Sequence, residues 1–173
     1  MKKFIIILII NFLFSIQFEH KANNSYIKYS GSHPLHNWIG VTNNFIFKID
    51  SNNNQFSIYI SAPLKYFDSK NENRDSNMLY YVESLKYPNV TFKSKKFNYT
   101  SLDKIILIDG ILDFHGIKKS IIAKINLMEN SSSIIGKCSF DISLSEFNIN
   151  KPKLLMLSIN DIISIEANIE LIK

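Results

Sequence analysis

Along most of the chain, apolar and polar positions alternate with a period of two. The clearest run is the last one: Ile163, Ile165, Ala167, Ile169 and Leu171 fall on one side, and Ser164, Glu166, Asn168 and Glu170 on the other. Successive side chains of a strand point to opposite faces, so this pattern predicts a half-buried antiparallel strand. Cys138, Phe140, Ile142 and Leu144 alternate in the same way with Ser139, Asp141, Ser143 and Ser145. So do Ile121, Ala123, Ile125 and Leu127, then Phe45, Phe47 and Ile49, then Phe56, Ile58 and Ile60. Two further strands are predicted over 90–97 and 105–114, and a short first one near 26–29. The links between them are short and polar: 50–54, His115-Gly116 and 129–133. Short links between successive strands favour an up-and-down meander over crossover units. The expectation is an all-β chain of about eight antiparallel strands closing into a barrel.

Two segments break the period. Over 72–85, Met78, Tyr81, Val82 and Leu85 recur at helical spacing, with Asn73 or Asp75 as candidate caps and Pro88 as a stop. Over 148–160, Pro152 precedes the apolar run Leu154, Leu155, Met156, Leu157. Such a run in a loop predicts a lid over a cavity, with a plug as the alternative, because apolar loop residues need somewhere to bury. Eight strands enclose an interior that either packs solid with side chains or holds one small ligand. The inward-facing set is rich in Phe and Ile. Trp38, Phe45, Phe47, Ile58, Phe92, Leu112, Phe114, Phe140 and Ile165 are the candidate ligand-lining residues. The pattern leaves open whether they fill the interior or line a void.

The N-terminus is of another kind. Lys2 and Lys3 precede Phe4–Phe14, an apolar run interrupted by Asn11. That run falls short of the roughly 20 residues a spanning helix needs. It reads as a secretory signal peptide over 1–18, followed by one domain over 23–173; an uncleaved anchor is the alternative. Ser15-Ile16-Gln17 and Lys21-Ala22 are the candidate cleavage positions. The expected location is periplasmic or secreted, with no stable membrane span once the segment is removed. An oxidising compartment requires the single Cys138 to be buried, and its place on the apolar side of a strand predicts that it is.

At 173 residues the chain is long enough for one domain, and 46% hydrophobic against 20% charged residues excludes a disordered chain. The net charge of +5 invites a nucleic-acid reading. Arg74 is the only arginine among the 20 basic residues, and the lysines are dispersed. Bidentate phosphate and guanine recognition favours arginine, so no nucleic-acid partner is expected. His33, His36 and His115 match no metal-ligand spacing, no nucleophile–base motif occurs, and Asp109 and Asp113 share a strand face where lysines can pair them. The expectation is no enzyme, no metal and no cofactor. Arg74 has two readings, pinning the helix start through a carboxylate or meeting a ligand head group; His36 shares the second.

Three stretches carry a resemblance. They are Ser32-His33-Pro34-Leu35-His36-Asn37-Trp38-Ile39-Gly40; Asn73-Arg74-Asp75 with Lys86-Tyr87-Pro88-Asn89-Val90-Thr91-Phe92; and Asp109-Gly110-Ile111-Leu112-Asp113-Phe114-His115-Gly116. In this order they resemble the YceI-like family of exported lipid-binding proteins. The tail, with Asn150-Lys151-Pro152-Lys153-Leu154-Leu155 and Asp161, resembles the branch common in Bacteroidetes. The chain departs from the family pattern at Asn77, where His is usual, and at Asp113, and from the branch at Asn37. The resemblance implies a lipocalin-like barrel, no catalytic machinery, and an interior for an apolar lipid such as a polyisoprenoid or an isoprenoid quinone. A homodimer is allowed for. The alternative is a side-chain-filled barrel serving as an envelope stress or interaction module.

Overall fold

The computed structural model describes residues 24–52, 55–100 and 104–172. The predicted signal segment and both cleavage candidates lie outside the described residues. The strands are β1 (Tyr26–His33), β2 (His36–Thr42), β3 (Ile46–Asn52), β4 (Gln55–Pro63), β5 (Asn89–Ser94), β6 (Phe97–Asn98), β7 (Ile105–Phe114), β8 (Ile117–Glu129), β9 (Ser133–Ser143), β10 (Lys153–Leu154), β11 (Leu157–Ser158) and β12 (Ile162–Ile172). One α-helix, α1 (Glu72–Tyr81), stands between β4 and β5. Ten strands form one antiparallel sheet in the order β2-β1-β12-β9-β8-β7-β5-β4-β3, with β6 added beside β4. The remaining two, β10 and β11, pair only with each other.

This is the predicted meander, strongly curled, with ten strands in place of about eight. The difference has two sources. What reads as one strand over 90–97 is split into β5 and β6, because the register against β4 slips by one residue between the Tyr59–Lys93 and Phe56–Phe97 pairs, while Lys95 N–H stays bonded to the Asp109 carbonyl of β7 at 2.7 Å. And β2 carries Ile39, exposed, on one face with Gly40 and Thr42, buried, on the other. Its polarity therefore runs against the alternation that marks the other strands, and hydrophobic periodicity does not reveal it.

No ladder joins β2 to β3 among the described residues, so the curled sheet has a seam there. The segment after β4 bridges it on the β2 side: Val41 N–H donates to the Asp68 carbonyl at 3.0 Å, and Asp68 N–H donates back at 2.9 Å. The same segment delivers α1. Its cap is Asn71, whose side chain accepts from Arg74 N–H at 3.0 Å, and not Asn73 or Asp75 as the sequence suggested. Asp75 instead accepts from Ser69 N–H at 3.1 Å. The helix ends at Tyr81, so Leu85 is fully exposed and only Met78, Tyr81 and Val82 of the predicted stripe face inward.

Among the described residues, buried apolar side chains gather in two clusters. Beneath α1, Leu64, Val82, Leu144, Phe147, Ile149 and Ile163 pack together, with the Phe114 and Phe147 ring centroids 5.4 Å apart. A smaller cluster joins Phe45, Ala62 and Ile169. Fully burying each such side chain contributes roughly 1.5–3 kcal/mol.

Candidate ligand cavity

Between the two clusters the curled sheet is hollow. It encloses a cavity of about 840 Å³. The alternation places the inward set on its wall: Phe47 from β3, Ile58 from β4, Phe92 from β5, Leu112 and Phe114 from β7, Phe140 from β9 and Ile165 from β12. Phe45 is the exception. It precedes β3 and is taken up by the packed cluster with Ala62 and Ile169, so it does not reach the cavity surface. Cys138 lies on the wall, as its place in the alternation predicts, and burial pushes its thiol pKa up.

The void persists because large aromatic rings lie flat on the wall. Gly31 faces Trp38 and Gly40 faces Tyr29 across the β1–β2 ladder. A Cβ on Gly31 would come within 2.5 Å of the Trp38 ring, and one on Gly40 within 2.3 Å of the Tyr29 ring. The Phe92 ring lies over Gly110 in the same way. With side chains at those positions the rings would have to lift into the lumen. Interior strand glycines often mark such close approaches. The signal was in the sequence, but only the cross-strand register says which ring each glycine receives.

The lining contains no carboxylate; its full charges are Arg74 and Lys153, and it also holds His33 and His36. Six lining residues are exposed to solvent, and they locate the mouth: His36, Asn71, Asn73, Asn77, Lys153 and Leu154. Three elements therefore frame it: the start of α1, the β1–β2 turn and the β10–β11 hairpin. Arg74 takes part in none of the ion pairs among the described residues; its guanidinium donates to the Ser69 carbonyl at 3.4 Å. The helix is thus pinned by the Asn71 cap and the Asp75–Ser69 contact, not by an arginine–carboxylate pair. Near Arg74 the Tyr29 hydroxyl is buried without a hydrogen-bond partner. Burial, with the Asp75 charge adding and the Arg74 charge opposing, pushes its pKa up to about 12. The His36 and Trp38 rings pack against each other in a tilted arrangement, with centroids 5.6 Å apart.

The segment read as a lid is a hairpin. Leu154 pairs with Leu157, leaving Leu155 and Met156 as a two-residue loop with φ of 51° and 68°. Positive φ at both positions is the backbone of a type I′ turn, which favours Asn-Gly. The base of the hairpin is fixed: the His33 ring bridges it to β1, its Nδ1 accepting from Leu35 N–H at 3.2 Å and its Nε2 donating to the Leu157 carbonyl at 3.2 Å. Asp161 accepts from the Ser143 and Ser145 hydroxyls and from Lys151 Nζ at 3.0 Å, which holds its carboxyl well below the usual range. The tip is not buried. Leu155 is 75% exposed and Met156 94%; of the run, Leu154 lines the cavity. The expected lid is corrected accordingly: the run projects beside the mouth and does not close it.

The other candidate chemistry is structural. His115 is held away from His33 and His36, with Nδ1 donating to the Phe147 carbonyl at 2.8 Å. Asp109 and Asp113 pair with Lys95 and Lys118, at 3.5 and 3.9 Å.

The family model for the YceI-like domain matches residues 18–171. The chain belongs to the YceI-like family. Among solved structures, BcnA from Burkholderia cenocepacia is similar to this YceI-like chain at 14% identity and a TM-score of 0.76, covering 88% of this chain and 99% of that one. A polyisoprenoid binding domain from Saccharophagus degradans, described as implicated in plant cell wall breakdown, is similar at 15% identity and a TM-score of 0.71, covering 90% and 97%. The YCEI protein of Campylobacter jejuni is similar at 17% identity and a TM-score of 0.60, covering 100% and 99%. At these identities the likeness is one of fold, and it carries the lipocalin-like barrel expected for a YceI-like chain. No curated protein matches the sequence. No helix among the described residues is long and apolar enough to cross a membrane.

Proposed function

We propose that this YceI-like protein is an exported, non-enzymatic carrier that holds an amphiphilic lipid with its apolar chain inside the barrel and its head group at the mouth. A polyisoprenoid or an isoprenoid quinone fits this description. The observation that carries the reading is the cavity of about 840 Å³ with no carboxylate on its wall. A void of that size would hold roughly 28 waters at 30 Å³ each, and the wall offers them few polar partners. An apolar chain gains instead about 0.8 kcal/mol for each methylene removed from water. Arg74 and His36 at the mouth, with the unpartnered Tyr29 hydroxyl, supply donors for a phosphate, carbonyl or hydroxyl head group. The Saccharophagus domain, described as polyisoprenoid binding, supports the ligand class. The Lys2-Lys3 and Phe4–Phe14 pattern supports export to the periplasm or outside the cell, and the Asn150–Leu155 motif supports the Bacteroidetes-type branch. A second copy of the chain would find an apolar face on the outside of β7 and β8, where Leu107 and Ile122 are exposed.

The test is native mass spectrometry of the protein beginning at Glu19, followed by lipid mass spectrometry of what is released. A near-stoichiometric long-chain lipid is expected. An empty protein, unchanged after incubation with polyprenyl lipids and quinones, overturns the carrier and favours the surface-interaction alternative. Phe140→Ala should abolish retention while reducing stability less than Phe147→Ala, which removes a ring from a packed cluster and costs about 3–5 kcal/mol. Equal losses in the two variants would argue for a filled interior.

A further inference from the structure

We propose that the β10–β11 hairpin is a membrane-docking finger that sets the cavity mouth against an anionic lipid surface. Four observations meet at this element. The first is its exposed apolar tip: Leu155 and Met156, with Leu35 of the adjoining β1–β2 turn 59% exposed. The second is the conformation. Leu155 and Met156 both hold positive φ, where bulky side chains are disfavoured and Asn-Gly is preferred. Neither residue buries its side chain in the fold, so packing does not account for their presence at the turn. A type I′ turn presents this pair at the far end of a two-stranded ribbon, the geometry of a probe. The third is charge. From Ser32 to Asn37 and from Asn148 to Asn160 there is no acidic residue; Lys153 precedes the tip and is in none of the ion pairs among the described residues, while Lys151 is paired with Asp161. Asp161, the next carboxylate along the chain, is held by Lys151 and two serine hydroxyls, and the acids of the third framing element are Glu72 and Asp75 at the start of α1, where Asp75 accepts from Ser69 N–H and Arg74 lies between them. An apolar hairpin tip with an unpaired lysine beside it and no acid on the hairpin matches an anionic bilayer, where apolar insertion and headgroup attraction add. The fourth is continuity: Pro152, Lys153 and Leu154 line the cavity itself, so whatever seats the tip also abuts the opening. A lipid could then pass between bilayer and barrel without exposing its chain to water. The docking surface is independent of which lipid fills the cavity.

The experiment is vesicle flotation of the protein beginning at Glu19, which keeps every described element and removes the apolar run Phe4–Phe14. Vesicles of phosphatidylcholine mixed with phosphatidylglycerol are compared with phosphatidylcholine alone. The wild type should float with the mixed vesicles and weakly with the neutral ones. The double variant Leu155→Asn, Met156→Gly supplies the residues this turn prefers, so it should fold at least as well, and its partition should fall by about tenfold or more for two apolar side chains withdrawn from the bilayer. Leu35→Ser should lower partition by a smaller factor. A wild type that stays in solution, or a double variant that floats like the wild type, overturns the finger. Equal flotation on both vesicle types overturns the anionic surface. Lipid content is measured on the same samples: a docking protein with an empty barrel overturns the carrier and leaves the finger standing, and a lipid-filled protein that does not dock does the reverse.

Discussion

The chain builds the same tight turn twice and fills it in opposite ways. At the β7–β8 turn, His115 and Gly116 hold φ of 53° and 73°. Gly116 adopts that conformation without strain, and a Cβ there would come within 2.5 Å of the Tyr87 ring. His115 is not the preferred first residue, but its side chain reaches inward to the Phe147 carbonyl and lies 4.8 Å from the Tyr87 ring centroid. At the β10–β11 turn the same backbone carries Leu155 and Met156, whose side chains face solvent. Left-handed backbone costs a residue with a Cβ roughly 1–2 kcal/mol. In the first turn each residue has an internal reason to be there. In the second the reason lies outside the fold. Where a sequence departs from turn chemistry, the direction of its side chains tells whether the departure serves packing or a surface.

The comparison can be broken most strongly at Gly116. Gly116→Val should cost about 3 kcal/mol, combining left-handed strain with overpacking against Tyr87, and lower the melting temperature accordingly. A change within measurement error would mean that the two turns do not differ in how tightly the fold specifies them.

Asp161 anchors the base of the second hairpin, so Asp161→Asn should remove about 1.5 kcal/mol at neutral pH, the scale of a charge-assisted hydrogen bond. The sign with pH follows from the depressed carboxyl. The contribution is present above the unfolded value near 3.9 and is lost as pH falls toward the folded one. Melting curves between neutral and acidic pH should therefore converge for the wild type and the Asn variant. Parallel curves would remove Asp161 from the account. The smallest effect sharpens the contrast. Leu155→Asn, Met156→Gly should gain roughly 0.5–1 kcal/mol by relieving the strain, a rise in melting temperature where the first turn allows only falls.

What was legible in the sequence follows from what each element is selected for. β12, β9 and β8 have one face to a cavity and one to water, and alternation finds such strands. β2 escaped because its inward face mixes His36 and Trp38 with Gly40 and Thr42, while Ile39 faces out, so no apolar alternation marks it. Arg74 and His36 were legible as residues at one end of the barrel. That Tyr29, Asn71 and Asn77 join them was not, since those neighbours are made by the seam bridge at Asp68 and by strand register. The Leu154–Leu157 run was misread because apolar residues in a loop are expected to bury, and only the paired ladder shows the tip carried outward.

The pairing of β1 with β12 has a temporal consequence. Tyr26 lies opposite Asn168, so the first and last strands of the described residues are neighbours within the sheet, one strand in from the β2 edge. Until β12 has left the ribosome, β1 and β2 form a hairpin with no further strand to join. A closing loop this long is slow to form, since its chain entropy is lost before the ladder compensates. Completion of the wall is thereby tied to the synthesis of β12, and a nascent chain remains threadable until that strand is made.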